Sequence, residues 1–507
     1  MPTTQIIIPI QMAARELDIV IIGAGLSGVN AGYRLQTELP GRTFTILESR
    51  FEIGGTWAFW KYPGIRTDSA MALFGFPWRP WPYDSTMAQA QDIKKYIEKC
   101  AAEEGIDKRI EFGNRVTSIS WNTQEQRWTL QVDATLENGT VEKRTIKAWW
   151  LINCSGYYSY DKPLPVAIPG IEDFGGQVVH PQFWDDSVDY AGKKVIIIGS
   201  GATAITLLPA MADATASLTM LQRSPSFVLS LPRKDRGVAK LSRWMPKRWA
   251  VAVNWWQRMF TETAFVKFLL TFPNAGRKLL LSQTKAQLPK GFDIEKHFNP
   301  RYDPFKQRLC LSPGGDFYKA LHKPNVRIVT DIIDTVTEDG ILLKSGEKLD
   351  ADMIITATGL YVQLLPNIAA DIDGVSLNDT MNKRYVWNGC MLEGVPNAGF
   401  ITGYTAATWT PGADVRTRKL IKVIRHQEKT GSLVAQPALS PSERASLPAK
   451  SFFNLTSTYA ISALDRLPMA AGVGVWRAGT NWVVDVWQLM FSSVKTGMQY
   501  VGKSKDV

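Results

Sequence analysis

The residues best suited to chemistry in this sequence are glycines that follow an apolar, strand-like segment. The segment LDIVIIGAGLSG (17–28) runs into Gly23, Gly25 and Gly28, and a helical pattern follows it. Here the first glycine permits a tight turn, the second lets the backbone approach a pyrophosphate, and the third lets the helix pack on the strand. The next strand-like segment ends in Glu48, whose carboxylate can accept hydrogen bonds from an adenosine ribose. The pattern predicts a dinucleotide-binding site.

A second copy of this motif lies at 193–204, KKVIIIGSGATA. The strand-like segment after it carries Arg223 where the first copy has Glu48, and an arginine there accommodates a 2′-phosphate. The alternative is an ordinary surface arginine after a strand. One motif with the ribose acid and one with the arginine together indicate FAD and NADPH. We expect the second motif to bind NADPH through Gly199, Gly201, Thr203, Ala204, Arg223 and Ser224.

The elements that must position these motifs predict an α/β fold with two Rossmann-like dinucleotide-binding domains and a helical insertion in the NADPH domain. Two alternating segments, each typical of a small antiparallel sheet, end in the glycine-containing turns 153–156 and 357–359. We interpret these turns as the two chain crossings between the domains. The predicted domains are a FAD-binding domain split between 14–160 and 340–507, and an NADPH-binding domain at 161–339 with its insert at about 235–300.

The insert is basic and rich in tryptophan. Between Asp235 and Lys285 there are ten Lys or Arg against two acidic residues, a net charge of +8 within a chain of +11. Its apolar residues recur at helical spacing, which predicts two or three amphipathic helices broken near Pro246 and Pro273. Two interpretations stay open: a helical cap over a substrate site, or a surface that contacts an anionic membrane.

The composition excludes several classes of protein and site. The four cysteines form no CxxC pair and the four histidines lie far apart, so we expect no metal site and no disulfide framework. No basic region precedes the apolar N-terminal patch, and no apolar run is long enough to span a bilayer. Nothing resembles a nucleic-acid recognition module. We expect a cytoplasmic protein, with peripheral membrane association through the insert as an open alternative.

One segment between the two glycine motifs has a distinctive spacing. The segment DFGGQVVHPQFWDD (173–186) closely resembles the fingerprint of the type I Baeyer–Villiger monooxygenases, within the class B flavoprotein monooxygenases. The segments 54–81, 299–318 and 396–410 also resemble that family, and the similarity is greatest to the branch that includes bacterial thioamide-prodrug-activating enzymes. The fingerprint positions are Phe174, Gly176, His180, Trp184 and Asp185.

The resemblance implies roles for individual residues. Arg308 would lie over the flavin and stabilise a peroxyflavin anion, and Asp68 would contact the flavin region and tune that arginine. A purely structural salt bridge is the alternative for this pair. His180 would act as a hinge residue between the domains rather than as an acid or base. The FAD contacts expected are Gly23, Gly25, Gly28, Glu48, Thr56, Trp57, Asp68 and Val116.

The function implied is oxygen insertion from O2 into a ketone, giving an ester or lactone by way of a C4a-peroxyflavin, with an apolar ketone or thioether as substrate. S- or N-oxygenation of soft heteroatoms by the same species is the alternative. A disulfide reductase would also pair FAD with NADPH, but it needs a redox CxxxxC pair where this sequence has Gly54-Gly55-Thr56-Trp57. A flavoprotein that only leaks peroxide is a third alternative.

Overall fold

The structure, a computed structural model, describes residues 14–404, 407–453, 455–479 and 481–502. The apolar N-terminal patch therefore lies outside the described residues. The first part of the chain forms most of a mixed sheet and the helices that cover it. Its strands are β1 (Arg15–Ile22), β2 (Phe44–Leu47), β3 (Ile110–Glu111), β4 (Asn114–Asn122), β5 (Arg127–Thr135) and β6 (Val141–Asn153), and its helices are α1 (Leu26–Glu38), α2 (Thr56–Phe59), α3 (Met71–Phe74) and α4 (Ala90–Glu103).

Strand β1 is the centre of this first sheet. It pairs in parallel with β2 and β6, and β4, β5 and β6 form an antiparallel meander. Alternate residues of β1 enter two different cores, Ile19 and Ile21 beneath α1, and Val20 and Ile22 against the meander. Because side chains alternate across a strand, a strand covered on both faces must be apolar throughout, as the sequence of β1 is.

The middle of the chain forms a second, fully parallel sheet in the order β13-β10-β9-β17-β8. A separate antiparallel sheet of β14, β15 and β16 covers one of its faces and shares a core with it. The strands of this part are β7 (Tyr158–Pro163), β8 (Gln177–Val179), β9 (Lys194–Ile198), β10 (Ser217–Gln222), β11 (Val228–Leu231), β12 (Cys310–Pro313), β13 (Val326–Thr330), β14 (Ile333–Thr337), β15 (Gly340–Leu343), β16 (Lys348–Asp350) and β17 (Met353–Thr356).

The helices of this part include the predicted insert. The predicted breaks are confirmed, since Pro246 directly precedes the long helix α7 and Pro273 is the first residue of α8. Proline is tolerated at a helix start because the backbone N–H it lacks would have no intrahelical partner there. The helices are α5 (Ala202–Met211), α6 (Gly237–Leu241), α7 (Lys247–Thr271), α8 (Pro273–Lys285), α9 (Ile294–Phe298) and α10 (Asp316–Ala320).

The last part of the chain returns to the first sheet, where β19 pairs with β4 and β23 pairs with β6. Its strands are β18 (Leu360–Val362), β19 (Ala369–Ile372), β20 (Val375–Ser376), β21 (Val386–Trp387), β22 (Met391–Leu392), β23 (Ala398–Phe400), β24 (Ser432–Pro437), β25 (Lys450–Ser451), β26 (Met469–Ala470) and β27 (Met498–Gly502). Its helices are α11 (Trp409–Thr430), α12 (Pro441–Ser446), α13 (Thr458–Ile461) and α14 (Trp482–Phe491).

The second sheet is longer in sequence than the predicted nicotinamide domain. Its strand β17, which lies between β9 and β8, ends at Thr356, beyond the boundary expected at 339. Met353, Ile354 and Ile355 are fully buried there, as a strand covered on both faces requires. We therefore propose a nicotinamide domain that extends past Thr356. Among the described residues, no helix is long and apolar enough to cross a membrane.

Candidate active site

The first glycine motif forms a tight turn between β1 and α1. Gly23 has a φ of +100°, and a Cβ at Gly28 would lie 1.9 Å from the carbonyl oxygen of Gly23. Any side chain at Gly28 would therefore push the helix away from the strand. Gly25 precedes the first turn of α1, and no side chain caps that turn. The N–H groups of the turn, with the positive end of the helix dipole, can receive an anion.

Glu48 lies at the end of β2, where the sequence places the ribose acid. Its buried carboxylate accepts hydrogen bonds from the backbone N–H of Ala24 at 2.7 Å and of Arg50 at 3.0 Å. These bonds fix the carboxylate beside the glycine turn. Because a carboxylate has about four acceptor positions, it can still accept hydrogen bonds from a ribose.

The second glycine motif repeats the same local structure between β9 and α5. Gly199 has a φ of +137°, and the space beside Gly201 is open. Ala204 is fully buried under the helix. Arg223 and Ser224 follow β10 and are exposed, and the Ser200 hydroxyl donates to the carbonyl of Ser224 at 2.8 Å. An exposed arginine on this rim can reach a phosphate bound at the turn.

A large cavity joins the first glycine turn to the second domain. It has a volume of about 610 Å³. It reaches from the glycine turn after β1, which we call the first cradle, to the start of α5. Among the residues predicted from the sequence, it brings together Gly23, Gly25, Glu48, Thr56, Trp57, Asp68, Val116, Thr203 and Arg308. The lining does not include Gly28, Gly199, Gly201, Ala204, Arg223 or Ser224. Gly28 and Ala204 lie where a helix packs on its strand, and the other four belong to the second cradle, the glycine turn after β9 with the residues beside it.

Arg308 and Asp68 form an ion pair at the inner edge of this cavity. The Arg308 Nη1 atom lies 2.8 Å from the Asp68 Oδ2 atom. The Asp68 carboxylate is the largest cause that raises the pKa of Arg308 well above its ordinary value, and burial opposes it. The guanidinium is therefore a permanent positive charge.

Two tyrosines beside this ion pair were not predicted from the sequence. The hydroxyls of Tyr157 and Tyr158 lie 2.8 Å apart, and both residues line the cavity. Burial raises the pKa of both phenols, and the nearby charge of Arg308 opposes that shift only in part. Tyr157 also stacks on Trp409, with ring centroids 5.3 Å apart. The signal for these residues is that they directly follow the chain crossing 153–156.

The loop that carries Trp57 and Asp68 is held between the two domains. Trp57 packs edge-on against Phe74 at 5.6 Å between ring centroids. Arg66 donates two hydrogen bonds to Asp316 at the start of α10, at 2.7 and 3.3 Å. Because Asp316 begins α10, whose Phe317 and Tyr318 are buried in the core of the second sheet, this bidentate pair fixes the segment against the second domain.

A second cavity of about 520 Å³ shares Asp68, Ser69 and Arg308 with the first. One wall is the face of α7 that carries Thr261, Glu262, Phe265 and Val266, and other walls carry Leu229, Leu231, Leu309 and Leu455. The insert thus forms a wall of a cavity beside the ion pair, which agrees with the cap interpretation.

Glu262 anchors this wall to the first domain. Its carboxylate accepts hydrogen bonds from the Thr408 backbone N–H at 2.9 Å and from the Thr408 hydroxyl at 3.0 Å. Burial raises the pKa of Glu262, and the two bonds from Thr408 oppose that shift. The insert helix is thereby tied to the residue that precedes α11.

His180 lies on the segment between the domains and not at either cavity. Its Nδ1 atom accepts a hydrogen bond from the Gln182 backbone N–H at 3.2 Å. Burial lowers the pKa of His180, and the backbone of Gly359, in the other chain crossing, opposes that shift. A position between the two crossings is compatible with the predicted hinge role, which stays a prediction.

Comparisons with known proteins fit this architecture. The flavin-binding monooxygenase-like family model matches residues 16–240. The FAD-containing monooxygenase EthA of Mycolicibacterium smegmatis is 41% identical over 482 residues, which cover 94% of this chain and 96% of that protein. The probable FAD-binding monooxygenase AlmA of Acinetobacter sp is 36% identical, with 96% of both chains covered.

Solved structures show the same fold at low identity. A steroid monooxygenase bound to NADP has a TM-score of 0.74 at 20% identity and covers 96% of this chain and all of its own. A cyclohexanone monooxygenase has a TM-score of 0.73 at 19% identity, with 96% of this chain and all of its own covered. The predicted α/β fold is confirmed. On its similarity to relatives that match nearly its whole length, the chain belongs to the family of FAD-containing, flavin-binding monooxygenases.

Proposed function

We propose that this chain is an NADPH-dependent Baeyer–Villiger monooxygenase that converts an apolar ketone, O2, NADPH and a proton into an ester or lactone, NADP⁺ and water. The observation that carries the proposal is the Arg308–Asp68 ion pair, which belongs to the walls of both cavities. A fixed cation at this junction is suited to stabilise negative charge that develops on oxygen during its transfer.

FAD fits the first cavity. The uncapped start of α1, the tight turn at Gly23 and the Glu48 carboxylate match a pyrophosphate and a ribose. The second cradle, with Arg223 on its rim, would hold NADPH. When bound, FAD supplies the activation of O2 after reduction by NADPH.

The residues of this chain supply the environment for that chemistry. Arg308 keeps its charge at every working pH, and Asp68 holds its guanidinium in one place. Trp57 and Tyr157 line the first cavity, where their rings would help to keep water from the bound flavin. The leucine-rich second cavity would hold the substrate beside Arg308, because an apolar wall favours a ketone over the water it replaces.

Oxygenation of a soft heteroatom, such as a thioether sulfur, is the second candidate. The second cavity has mainly apolar walls, and its shared wall with the first cavity would bring either group near Arg308. The two reactions differ in their products, since a ketone gains one oxygen as an ester and a thioether gains one as a sulfoxide.

The test is to supply the FAD-loaded enzyme with NADPH and a panel of linear, cyclic and aryl ketones and thioethers, and to measure NADPH consumption and product mass together. The proposal expects an ester or lactone heavier than the ketone by one oxygen. Sulfoxides alone would favour the second candidate. NADPH consumption that no substrate changes, with hydrogen peroxide as the only product, would contradict both.

We also propose that the basic, tryptophan-rich insert makes a peripheral contact with an anionic membrane. Trp244 is 89% exposed and Trp256 is 59% exposed, although tryptophan is usually largely buried. Trp256 lies on α7, and α14 beside it extends the exposed aromatic surface. Helix α14 carries the exposed Trp487 and Phe491 and has no buried residue. Trp482 joins the two helices by packing edge-on against Trp256 at 5.3 Å between ring centroids.

Co-sedimentation with vesicles tests this contact. We expect binding to vesicles that contain anionic phosphatidylglycerol, and weaker binding at high salt because salt screens the basic face. The double variant W487A/F491A should bind less, while Phe51→Ala, which removes an exposed aromatic ring elsewhere, should not. Equal sedimentation with and without vesicles would contradict the contact.

A further inference from the structure

A basic groove adjoins the second cavity. The groove shares Pro232, Lys234 and Arg258 with the wall of the cavity. Its other lining residues are Arg233, Arg236, Gly237 and Lys240. The apolar cavity and the charged groove therefore lie side by side along these shared residues. Arg308 belongs to the cavity and not to the groove.

The groove carries more positive charge than its surroundings neutralise. Two of its cations have carboxylate partners, Lys234 with Asp84 at 3.1 Å and Arg258 with Asp235 at 2.6 Å. Among the described residues, the other three have no recorded ion pair, which leaves an excess of three positive charges. These three, all exposed, are Arg233, Arg236 and Lys240.

The groove does not coincide with the predicted nucleotide site. Arg223, the residue expected at the 2′-phosphate, is not part of its lining. Thr203, from the second cradle, lines the first cavity and not the second. The cavity beside the groove is the leucine-rich one, so an anion held in the groove would lie next to the molecule that fills that cavity.

We propose that the substrate is an anionic amphiphile. Its carboxylate or phosphate group would lie in the groove among Arg233, Arg236 and Lys240, and its apolar chain would fill the second cavity. The carbonyl or sulfur that is oxidised would then lie on that chain beside Arg308. The position of the oxidised group rests on the proposed function, while the binding of the anion does not.

Two measurements on the FAD-loaded enzyme test this proposal. The first is binding of dodecanoate, which has no group to oxidise, followed by tryptophan fluorescence below its micelle concentration. The second is the KM for oxo-dodecanoates and for their methyl esters, which differ only in the anionic group. The groove variant is R236E/K240E. The control K143E/R144E changes the net charge equally on β6, outside the groove.

We expect the wild type to prefer the oxo-acid over its ester. In the groove variant, the affinity for dodecanoate should fall about tenfold and the KM for the oxo-acid should rise about tenfold. The KM for the ester and for NADPH should not change, and the control variant should behave as the wild type. Dodecanoate binding that depends on the groove supports the proposal even if no ketone is oxygenated, a result that would contradict only the proposed function.

Three results would overturn the proposal. One is equal KM values of the wild type for acid and ester. Another is dodecanoate affinity that the groove variant and its control lower equally, which would show an unspecific charge effect. The third is a raised KM for NADPH in the groove variant with an unchanged KM for the acid, because the groove would then hold a phosphate of the nucleotide.

Discussion

The guanidinium of Arg308 lies 2.8 Å from the carboxylate of Asp68, although the two residues are 240 positions apart in the sequence. The pair lies where two cavities meet, one beside the first glycine turn and one walled by the insert helix α7. Under the proposed function, a charge in this position would act on both the flavin and the substrate. The first two predictions concern this pair.

Replacement of Arg308 by alanine should abolish oxygen transfer without preventing reduction of the flavin by NADPH. The loss of a single preorganised charge at a developing oxyanion typically costs about 10²–10³ in kcat. Arg308→Lys should recover part of the rate because it restores the charge without the planar fork. Stopped-flow reduction and product yield measure the two steps separately. Ester formation at the wild-type rate in Arg308→Ala would contradict the role.

Replacement of Asp68 by asparagine keeps the shape of the side chain and removes its charge. We expect kcat to fall about tenfold and hydrogen peroxide release to rise, because Arg308 loses the partner that holds it in place. The KM for NADPH should stay unchanged. Ser69→Ala is the matched control, since its hydroxyl donates to Asp68 only at 3.4 Å. Equal effects of both variants would indicate a loop disturbance instead.

Replacement of Arg223 by alanine should weaken the binding of NADPH but not the binding of NADH. A charged hydrogen bond to the 2′-phosphate contributes about 1.5–3 kcal/mol, so the KM for NADPH should rise roughly 10- to 100-fold. Arg327→Ala, on β13 of the same sheet, is the control because its side chain pairs with Glu347. The assignment fails if NADPH and NADH lose affinity equally.

We expect the buried Lys419 to make the free energy of unfolding depend on pH. Its ammonium is buried and donates to the Ser492 hydroxyl at 2.8 Å, and burial lowers its pKa to about 8. Below pH 8 the lysine is charged in both the folded and the unfolded chain, and the folded chain bears the cost of burying that charge. From pH 8 up to its ordinary pKa of 10.5 only the unfolded chain keeps the proton, so this contribution to stability rises with pH.

Comparison of Lys419→Met with the wild type measures this contribution. Between pH 7 and pH 9.5 the free energy of unfolding of the wild type should rise relative to that of the variant, by at most about 2 kcal/mol. Lys422→Met is the control, since Lys422 also donates to carbonyls at the end of α14. A difference between wild type and Lys419→Met that is constant with pH would contradict the lowered pKa.

The sequence alone determined the features that depend on neighbouring residues. A strand, a glycine turn and the start of a helix lie within about a dozen residues in each cradle. In the first cradle, Gly28 is required by its contact with the Gly23 carbonyl, and Gly23 by its own φ of +100°. The helix breaks at Pro246 and Pro273 are equally local, because proline ends or begins a helix through its own ring and missing N–H.

Only the tertiary structure decided which distant residues meet. It placed Arg308 beside Asp68, added Tyr157 and Tyr158 to the same wall, and placed the basic groove beside the second cavity. It also placed β17 between β9 and β8 in the second sheet, past the boundary predicted at 339. Contacts of this kind depend on how sheets and helices pack against one another. The periodicity of a single segment indicates which of its faces is buried, but not which element covers that face.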